Sequence, residues 1–319
     1  MELASQPKQY FRLMLGAKSV HADECFNGNF VGADFGIEHD LTNELPEKWK
    51  EFNKKFRPVW LEKNPGKSKV AAGLSCGALW TVCKGMRKGA IVLCPDGSGA
   101  YRVGAIDGAY HYKPGETLPH RRPVKWLDCE IQRSDMSDAL KNSTGSIGTV
   151  SDITKYTAEL EQLITGTIPE QQDEIDETVE DPIVFALEKH LEDFLVKNWQ
   201  QTELGKTYDI YEVDGEIVGQ QFKTDTGPLD ILAISKDKKE LLVVELKKGR
   251  ASDSVVGQIQ RYMGYVLEEL AEENQTVRGM IIALDDDLRI RRSLAVAPNI
   301  EFYRYKVSFD LFKASEGDA

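Results

Sequence analysis

The chain has 319 residues, of which 41% are hydrophobic and 29% are charged, and its mean hydropathy is −0.39. That length allows two ordinary domains with separate cores, and the composition excludes a disordered chain. The formal net charge of −12 argues weakly against a nucleic-acid-binding protein, but the charge is unevenly distributed. Residues 1–149 carry 21 basic and 17 acidic side chains, whereas residues 150–181 carry 1 and 10. The acidic excess therefore does not exclude nucleic acid as a partner.

Two further features bear on the compartment. No run of about 18 apolar residues occurs, and the N-terminus lacks the apolar core of a secretory signal. The five cysteines are Cys25, Cys76, Cys83, Cys94 and Cys129. Their odd number and the absence of a CxxC pair favour free thiols over a disulfide framework or a zinc site. We therefore expect a cytoplasmic protein without a membrane segment.

Short strand patterns interrupted by glycine dominate residues 1–153. The patterns in chain order are YFRLML, NFVGADFGI, AIVLCPDGSGAYRVGAIDGAYHY and RPVKWLD. PDGSG and DG are hairpin-turn signals, and one helix is predicted around CGALWTVCKGM. Many short strands with few helices predict a small, curled, barrel-like sheet.

A Glu/Asp-rich segment marks the predicted domain boundary. A short helix, TKYTAELEQLI, is predicted over residues 154–164, and TGTIPEQQDEIDETVEDP follows at 165–182 with few apolar residues. We therefore predict an N-terminal domain at 1–153, a helix and acidic linker at 154–181, and a C-terminal domain at 182–319.

The C-terminal domain has a different element pattern. The helix DPIVFALEKHLEDFLVKNW opens it, and strands are predicted at about 208–213, 217–224, 229–235 and 240–247. The helix SDSVVGQIQRYMGYVLEELAEE, the strand RGMIIAL, the helix DDLRIRRSLAVA and the strand IEFYRYKV follow. This αβββαβ order, extended by a further helix and strand, predicts a mixed sheet with helices on its faces. The whole chain is thus predicted to be a two-domain α/β (α+β) protein.

Charged residues occupy one end of an apolar hairpin, LDILAISKDKKELLVVELKKGR, at residues 229–250. Side chains alternate along a strand, so Glu245 and Lys247 share a face, and hairpin pairing brings Asp230 next to Glu245. Two carboxylates beside a lysine can hold a hard divalent cation and act on water or phosphate. A solvated Glu–Lys pair on an edge strand is the alternative, although LLVVELK is unusually apolar for an edge.

A helix glutamate, GPLD, ELK and a helix containing GQIQRYMGY follow one another in this chain. The ordered set resembles the PD-(D/E)XK nuclease fold and, within it, the NucS-type endonucleases and their restriction-enzyme relatives, over about residues 182–310. The resemblance implies that Asp230 and Glu245 bind Mg²⁺, with Mn²⁺ as a substitute, and that the Leu246 carbonyl is a third ligand. It also implies that Lys247 acts on the attacking water or on the scissile phosphate.

Two helical residues complete the set that the resemblance implies. Glu192, in LEDFL, completes the metal shell or orients a water, and Glu188 one turn earlier is the alternative to it. Gln258 supports the site from the following helix, where the alternative is an ordinary surface amide.

The first half resembles PUA-like domains, including EVE and YTH-like modules, over about residues 8–130. The motifs that carry this resemblance are NFVGADFGI, RKGAIVLC, YRVGAIDGAYHY and HRRPVKWLD. The chain has Gly89-Ala90 where these domains have Gly-Asp, and Asp34-Phe35-Gly36 where they have Gly-Trp-Gly. The resemblance implies a module that recognises nucleic acid.

A flipped base needs aromatic faces to stack on and a few polar groups for its edge. Phe35, Trp60 and Trp80 are candidate walls of such a pocket, and Asp34 or Ser75 is a candidate edge reader. The alternative is that each tryptophan belongs to the core.

Basic residues predict two regions of phosphate contact. Arg121, Arg122 and Lys125 form the first candidate region, in LPHRRPVKW, and Lys248 and Arg250 form the second, just after ELK. For the second region a solvated loop is the alternative.

The main hypothesis is a Mg²⁺-dependent DNA endonuclease whose N-terminal domain reads double-stranded DNA, plain or base-modified, in a restriction or defence role. A repair nuclease acting on mismatched or branched DNA is the second hypothesis. A non-catalytic nucleic-acid binder with a vestigial nuclease fold is the third. A homodimer would supply two active sites for a double-strand cut.

Overall fold

The structure is a computed structural model that describes residues 7–145, 148–166 and 191–306. It divides the chain into two compact units, Met1–Glu174 and Ile175–Ala319. The division lies inside the acidic segment 165–182. Among the described residues no helix has the length and apolar character needed to cross a membrane.

The N-terminal unit is built on a seven-stranded mixed sheet. Its strands are β1 (Tyr10–Leu13), β2 (Phe30–Ala33), β3 (Ile91–Pro95), β4 (Ala100–Ile106), β5 (His111–Tyr112), β6 (His120–Gln132) and β7 (Val150–Asp152). Their order is β2-β6-β4-β3-β1-β7, with β5 also paired to β6. The long strand β6 pairs with β2 and β5 near its start and with β4 along the rest of its length, so the sheet curls around it. The predicted curled sheet is confirmed.

Within the described part of this unit, five α-helices accompany the sheet. They are α1 (Ala22–Gly28), α2 (Trp49–Lys63), α3 (Lys69–Trp80), α4 (Asp138–Thr144) and α5 (Thr157–Thr165). The sequence analysis predicted α5 and the end of α3 but not α1 or α2. In α2 the buried residues Phe52, Phe56 and Trp60 recur every four positions, which is a helical spacing, although Pro58 interrupts the pattern.

The C-terminal unit contains a six-stranded sheet and a separate short hairpin. Its strands are β8 (Tyr208–Ile210), β9 (Glu212–Val213), β10 (Glu216–Ile217), β11 (Gln220–Thr224), β12 (Gly227–Ser235), β13 (Glu240–Arg250), β14 (Thr276–Asp285) and β15 (Ile300–Arg304). The sheet order is β11-β12-β13-β14-β15, with β8 beside β11 on β12, and β9 pairs with β10. Pairing is antiparallel from β11 to β13 and parallel from β13 to β15.

Helices cover both faces of this sheet. The described helices are α6 (191–197), α7 (Ser254–Tyr265) and α8 (Leu288–Leu294). On one face Val244 and Leu246 join a core to which Leu191 and Leu195 of α6 are added. On the other face α7 lies so close to β14 that a Cβ at Gly279 would be 2.6 Å from the sulfur of Met263. Because β13 is buried from Leu241 to Leu246, it is the rigid centre of the unit, and the predicted αβββαβ order is confirmed.

Candidate active site

Asp230 and Glu245 meet where β12 and β13 end their pairing. Ile231 lies opposite Val244, which places Asp230 beside Glu245 on the same face of the sheet. The Leu246 N–H donates a hydrogen bond of 2.7 Å to Asp230 Oδ2. A carboxylate therefore takes the place of a strand carbonyl as acceptor, and the contact fixes Asp230 against the backbone that carries Glu245.

Glu245 and Lys247 form a close pair on β13. Glu245 is only 2% exposed, and Lys247 Nζ lies 3.4 Å from Glu245 Oε1. A buried carboxylate is costly unless a positive charge or a cation accompanies it. The pair therefore puts one positive charge beside the two carboxylates at this end of the sheet.

Glu192 of α6 is also buried, and its carboxyl group accepts hydrogen bonds from two glutamine side chains. Gln220 Nε2 donates to Glu192 Oε1 at 2.7 Å, and Gln221 Nε2 donates to Glu192 Oε2. Burial is the main reason that the pKa of Glu192 is raised to about 7, while the hydrogen bond from Gln220 lowers it and the charge of Asp230 raises it. Glu192 therefore titrates near neutral pH, as acid–base groups in catalytic sites do.

Gln221 links Glu192 to Asp230. Its Nε2 also donates to Asp230 Oδ1 at 3.2 Å, so one amide touches both carboxylates. The structure thus connects Glu192 to Asp230 through Gln221, Asp230 to the Leu246 backbone, and Lys247 to Glu245. Glu188, the alternative to Glu192, lies outside the described residues.

The predicted site residue Gln258 lies on helix α7, together with Tyr262. They are one helical turn apart and share a face of α7, with Gln258 half-buried and Tyr262 only 5% exposed. The hydroxyl oxygen of Tyr262 would be 3.3 Å from a Cβ at Gly227, the first residue of β12. Tyr262 therefore reaches the start of the strand that carries Asp230, whereas α7 itself packs against β13 and β14.

The basic residues that follow the site have different surroundings. Lys248 is half-buried, and its carbonyl accepts a hydrogen bond from Tyr305 Oη. Arg250 is exposed and pairs with Asp285 at 3.4 Å. The side chain of Arg250 is thus accessible to a phosphate, although a carboxylate already contacts it.

The donor atoms at this site fit a small, hard cation. Asp230, Glu245 and the Leu246 carbonyl supply only oxygen, and Mg²⁺ commonly takes one or two carboxylates and keeps several waters. No cluster of three or more His, Cys, Asp and Glu side chains suited to a metal occurs within 7–145, 148–166 and 191–306. The donors therefore suit a partly hydrated Mg²⁺ and do not form a cage for a fully coordinated metal.

Both halves of the chain match protein-family models. The family model described as the endonuclease NucS C-terminal domain matches residues 187–314. The C-terminal unit is therefore NucS-like over residues 187–314, as the resemblance to the PD-(D/E)XK nucleases predicted. A second model, a domain of unknown function (DUF8426), matches residues 11–154, and no curated protein matches the chain.

Three solved structures are also similar to the chain. The EndoMS–dsDNA2 complex is 16% identical with a TM-score of 0.31, covering 68% of each chain. A repair endonuclease from Pyrococcus abyssi is 14% identical with a TM-score of 0.30, covering 66% of each chain. EndoMS in apo form is 14% identical with a TM-score of 0.26, covering 65% of this chain and 59% of its own. At such low TM-scores the family model is the basis for the assignment of the NucS-like domain.

Gln220 and Gln221 are residues of the NucS-like domain that the sequence analysis missed. They stand in VGQQFKT, where two adjacent amides give no distinctive signal. The only available clue is their position on the strand before GPLD, because an antiparallel neighbour of β12 must place some side chain beside Asp230. That inference requires the register, which the sequence does not fix.

In the DUF8426 unit, three of the five candidate pocket residues share one open cavity of about 520 Å³, and Ser75 is not among them. Asp34, Phe35 and Trp60 line it together with Gly36, Glu38, Lys63 and Asn64. Trp80 does not line it. The indole N–H of Trp80 donates to the Pro46 carbonyl at 2.9 Å, so Trp80 has a packing role at another place.

The predicted phosphate region around residues 121–125 is wrong for two of its three members. Arg122 is buried, and its guanidinium donates to the carbonyls of Gly108 and Met86, each at 2.9 Å. Arg121 is buried against Phe30 and donates to Glu116 at 2.7 Å. Both arginines use their donors inside the unit, whereas Lys125 is exposed.

Proposed function

We propose that the protein is a Mg²⁺-dependent DNA endonuclease that hydrolyses phosphodiester bonds at the Asp230–Glu245–Lys247 site. The observation that carries the proposal is the 3.4 Å pair of Lys247 with the buried Glu245, next to an Asp230 that the Leu246 N–H holds in place. Such an arrangement on a buried central strand fixes its groups rigidly, which positional catalysis requires. Mn²⁺ is expected to substitute for Mg²⁺.

The residues present suit hydrolysis by an activated water. Asp230, Glu245 and the Leu246 carbonyl would hold Mg²⁺, which when bound supplies charge stabilisation and acidifies a coordinated water. The Lys247 ammonium, held by Glu245, donates a hydrogen bond where negative charge develops on the phosphate. Glu192 as a carboxylate accepts a hydrogen bond from the attacking water and orients it.

Substitution of the charged groups tests the site assignment. Glu245→Ala and Lys247→Ala should each lower Mg²⁺-dependent cleavage of DNA by about a hundredfold or more, because each removes a charge that acts on the reacting atoms. Glu203→Ala and Lys206→Ala are matched controls, since they form an exposed ion pair in the same unit. Unchanged cleavage by the site variants would defeat the assignment, and no cleavage of any DNA by the wild type would favour a non-catalytic binder.

The N-terminal unit is proposed to recognise double-stranded DNA, as a PUA-like reader of a plain or modified base. The cavity of about 520 Å³ supports this role, because Phe35 and Trp60 provide aromatic surface and Asp34 an acceptor at its wall. A reader joined to a nuclease fits a modification-dependent restriction or defence enzyme. This role includes a cytoplasmic location.

A repair endonuclease acting on mismatched or branched DNA is the second candidate. The match of residues 187–314 to the NucS domain model favours it. A homodimer would let two sites cut both strands of a duplex, and sedimentation of the protein with and without DNA tests that assembly.

A single screen separates the two candidates. Plain, methylated, hydroxymethylated, mismatched and branched duplexes are incubated with the protein, with and without Mg²⁺. Preferential cleavage of modified duplexes supports the restriction role, and preferential cleavage of mismatched or branched duplexes supports the repair role. Phe35→Ala should reduce a preference for modified bases while leaving cleavage of plain DNA unchanged.

A further inference from the structure

Gln221 makes an unusual contact within the candidate metal site. Its amide nitrogen donates to Glu192 Oε2 and to Asp230 Oδ1 at 3.2 Å. In the structure both partners accept through carboxyl oxygens, so the amide presents its nitrogen and not its oxygen to them. The positive edge of the amide therefore lies between two acidic side chains at the place where a cation would be expected.

The backbone of Gln221 is also unusual. It lies within β11, between the pairs Gln220–Ile231 and Phe222–Leu229, yet its φ is +49°. Residues other than glycine seldom adopt the left-handed region, and a strand interior offers no turn that would require it. Strained backbone of this kind concentrates at functional sites, where the surroundings hold it in place.

Gln220 provides a direct contrast on the same strand. Its amide nitrogen donates to Glu192 Oε1 at 2.7 Å and to Asp193 Oδ1 at 3.0 Å, so both of its acceptors belong to α6. No hydrogen bond connects Gln220 to Asp230 among the described contacts. Gln220 therefore anchors Glu192 to the sheet, whereas Gln221 additionally occupies an oxygen of a candidate metal ligand.

We propose that Gln221 is a positioning residue that takes the place of the cation in the metal-free protein and thereby sets the metal affinity of the site. This inference rests on the proposed metal-dependent function. The N–H group offsets repulsion between Glu192 and Asp230 and occupies a lone pair of Asp230 Oδ1. A cation that binds Asp230 must displace this contact, so part of its binding free energy is used to move Gln221.

The test measures metal binding and not only cleavage. Mn²⁺ alone is titrated into the full-length protein without DNA, and free Mn²⁺ is followed by its electron paramagnetic resonance signal. Gln221→Met keeps the length of the side chain but removes the donor, so it should bind Mn²⁺ roughly tenfold more tightly than the wild type. Gln220→Met is the matched control. The logarithm of its Mn²⁺ affinity should rise by less than half as much as that of Gln221→Met.

A second variant keeps the inference testable if Gln221→Met folds poorly. Gln221→Glu places a fourth carboxylate at the site, beside Glu192 and Asp230, so the metal-free variant should melt at a lower temperature and Mn²⁺ should raise its melting temperature more than that of the wild type. Unchanged or weaker Mn²⁺ binding by both Gln221 variants would overturn the inference. Failure of the wild type to bind Mn²⁺ would instead overturn the proposed metal dependence.

Discussion

The ionisation of Glu192 gives the candidate site a dependence on pH. Its pKa is raised to about 7, chiefly by burial, so a large fraction of the carboxyl groups is protonated in neutral solution. A protonated carboxyl neither binds a cation well nor accepts a hydrogen bond from water as effectively as a carboxylate. The two glutamine amides favour the charged form, which makes them part of the pH response.

The first prediction concerns the pH profile of cleavage. For the wild type, kcat/KM at fixed Mg²⁺ should rise between about pH 6 and pH 8 as Glu192 loses its proton. Gln220→Met removes a hydrogen bond that lowers the pKa of Glu192, so the rising limb should move to higher pH. Gln200→Met is the control, because the Gln200 amide donates to the half-buried Asp209 and not to Glu192. If the rising limb of the Gln220→Met profile stays in place or moves to lower pH, this account is contradicted.

The second prediction concerns stability and follows from the same pKa. Because the folded-state pKa of Glu192 lies above its ordinary value of 4.5, the folded protein binds this proton more tightly than the unfolded chain does. The resulting stabilisation is complete below about pH 4.5 and is lost as pH rises through about 7.

Glu192→Gln should therefore raise the melting temperature at about pH 8, relative to the wild type, more than it does at about pH 5, while it lowers cleavage. Thermal unfolding at the two pH values, without metal, measures the difference. An equal change at both values would show that Glu192 does not titrate in this range.

At the scale of elements, the docking of α7 on the sheet decides where Gln258 and Tyr262 lie. A Cβ at Gly279 of β14 would be 2.6 Å from Met263 Sδ and 3.1 Å from the Ile259 side chain. Glycine is thus required at this position because the helix approaches the strand closely, and not because of its backbone angles. The position of α7 on β13 and β14 depends on that approach.

The third prediction is that Gly279→Ala destabilises the protein by about 1–3 kcal/mol, because the added methyl group overpacks the contact between α7 and β14. It should also lower cleavage, since α7 carries Gln258 and Tyr262. Gly264→Ala is the matched control on α7, where a Cβ meets no atom within 4 Å. The control should stabilise the protein by about 0.5–1 kcal/mol, and urea denaturation measures both changes. Equal effects of the two substitutions would show that α7 is not tightly docked.

The elements also show what the sequence could predict and why. Alternation along LLVVELK and pairing in the hairpin place Asp230, Glu245 and Lys247 together, because both follow from strand geometry alone. The contact of Gln221 was not predictable, since it depends on the register of β11 and on a left-handed backbone in a strand. Arg121 and Arg122 were wrongly placed at the surface, because a guanidinium can be buried where backbone carbonyls accept its hydrogen bonds.

For the whole molecule, the distribution of charge between the two halves sets the expected DNA affinity. Residues 1–149 have 21 basic and 17 acidic side chains, whereas residues 182–319 have 18 basic and 25 acidic side chains. Much of the affinity of proteins for DNA arises from basic contacts with phosphate and falls as salt is added. A nuclease domain with an excess of acidic groups is thus expected to depend on the first half for binding.

The fourth prediction follows from that charge difference. A fragment of residues 182–319 should bind a duplex at least about tenfold more weakly than the full chain at moderate salt, and its affinity should vary less steeply with salt concentration. It should retain Mg²⁺-dependent cleavage at low salt, because the Asp230, Glu245 and Lys247 contacts lie within it.

Fluorescence anisotropy with a labelled duplex gives both the affinity and the salt slope. The full-length Asp230→Asn variant, which keeps every basic group, is the binding control and should match the wild type in slope. A fragment that binds as tightly as the full chain would place the DNA-binding surface in the NucS-like domain and remove the need for a reader in the first half.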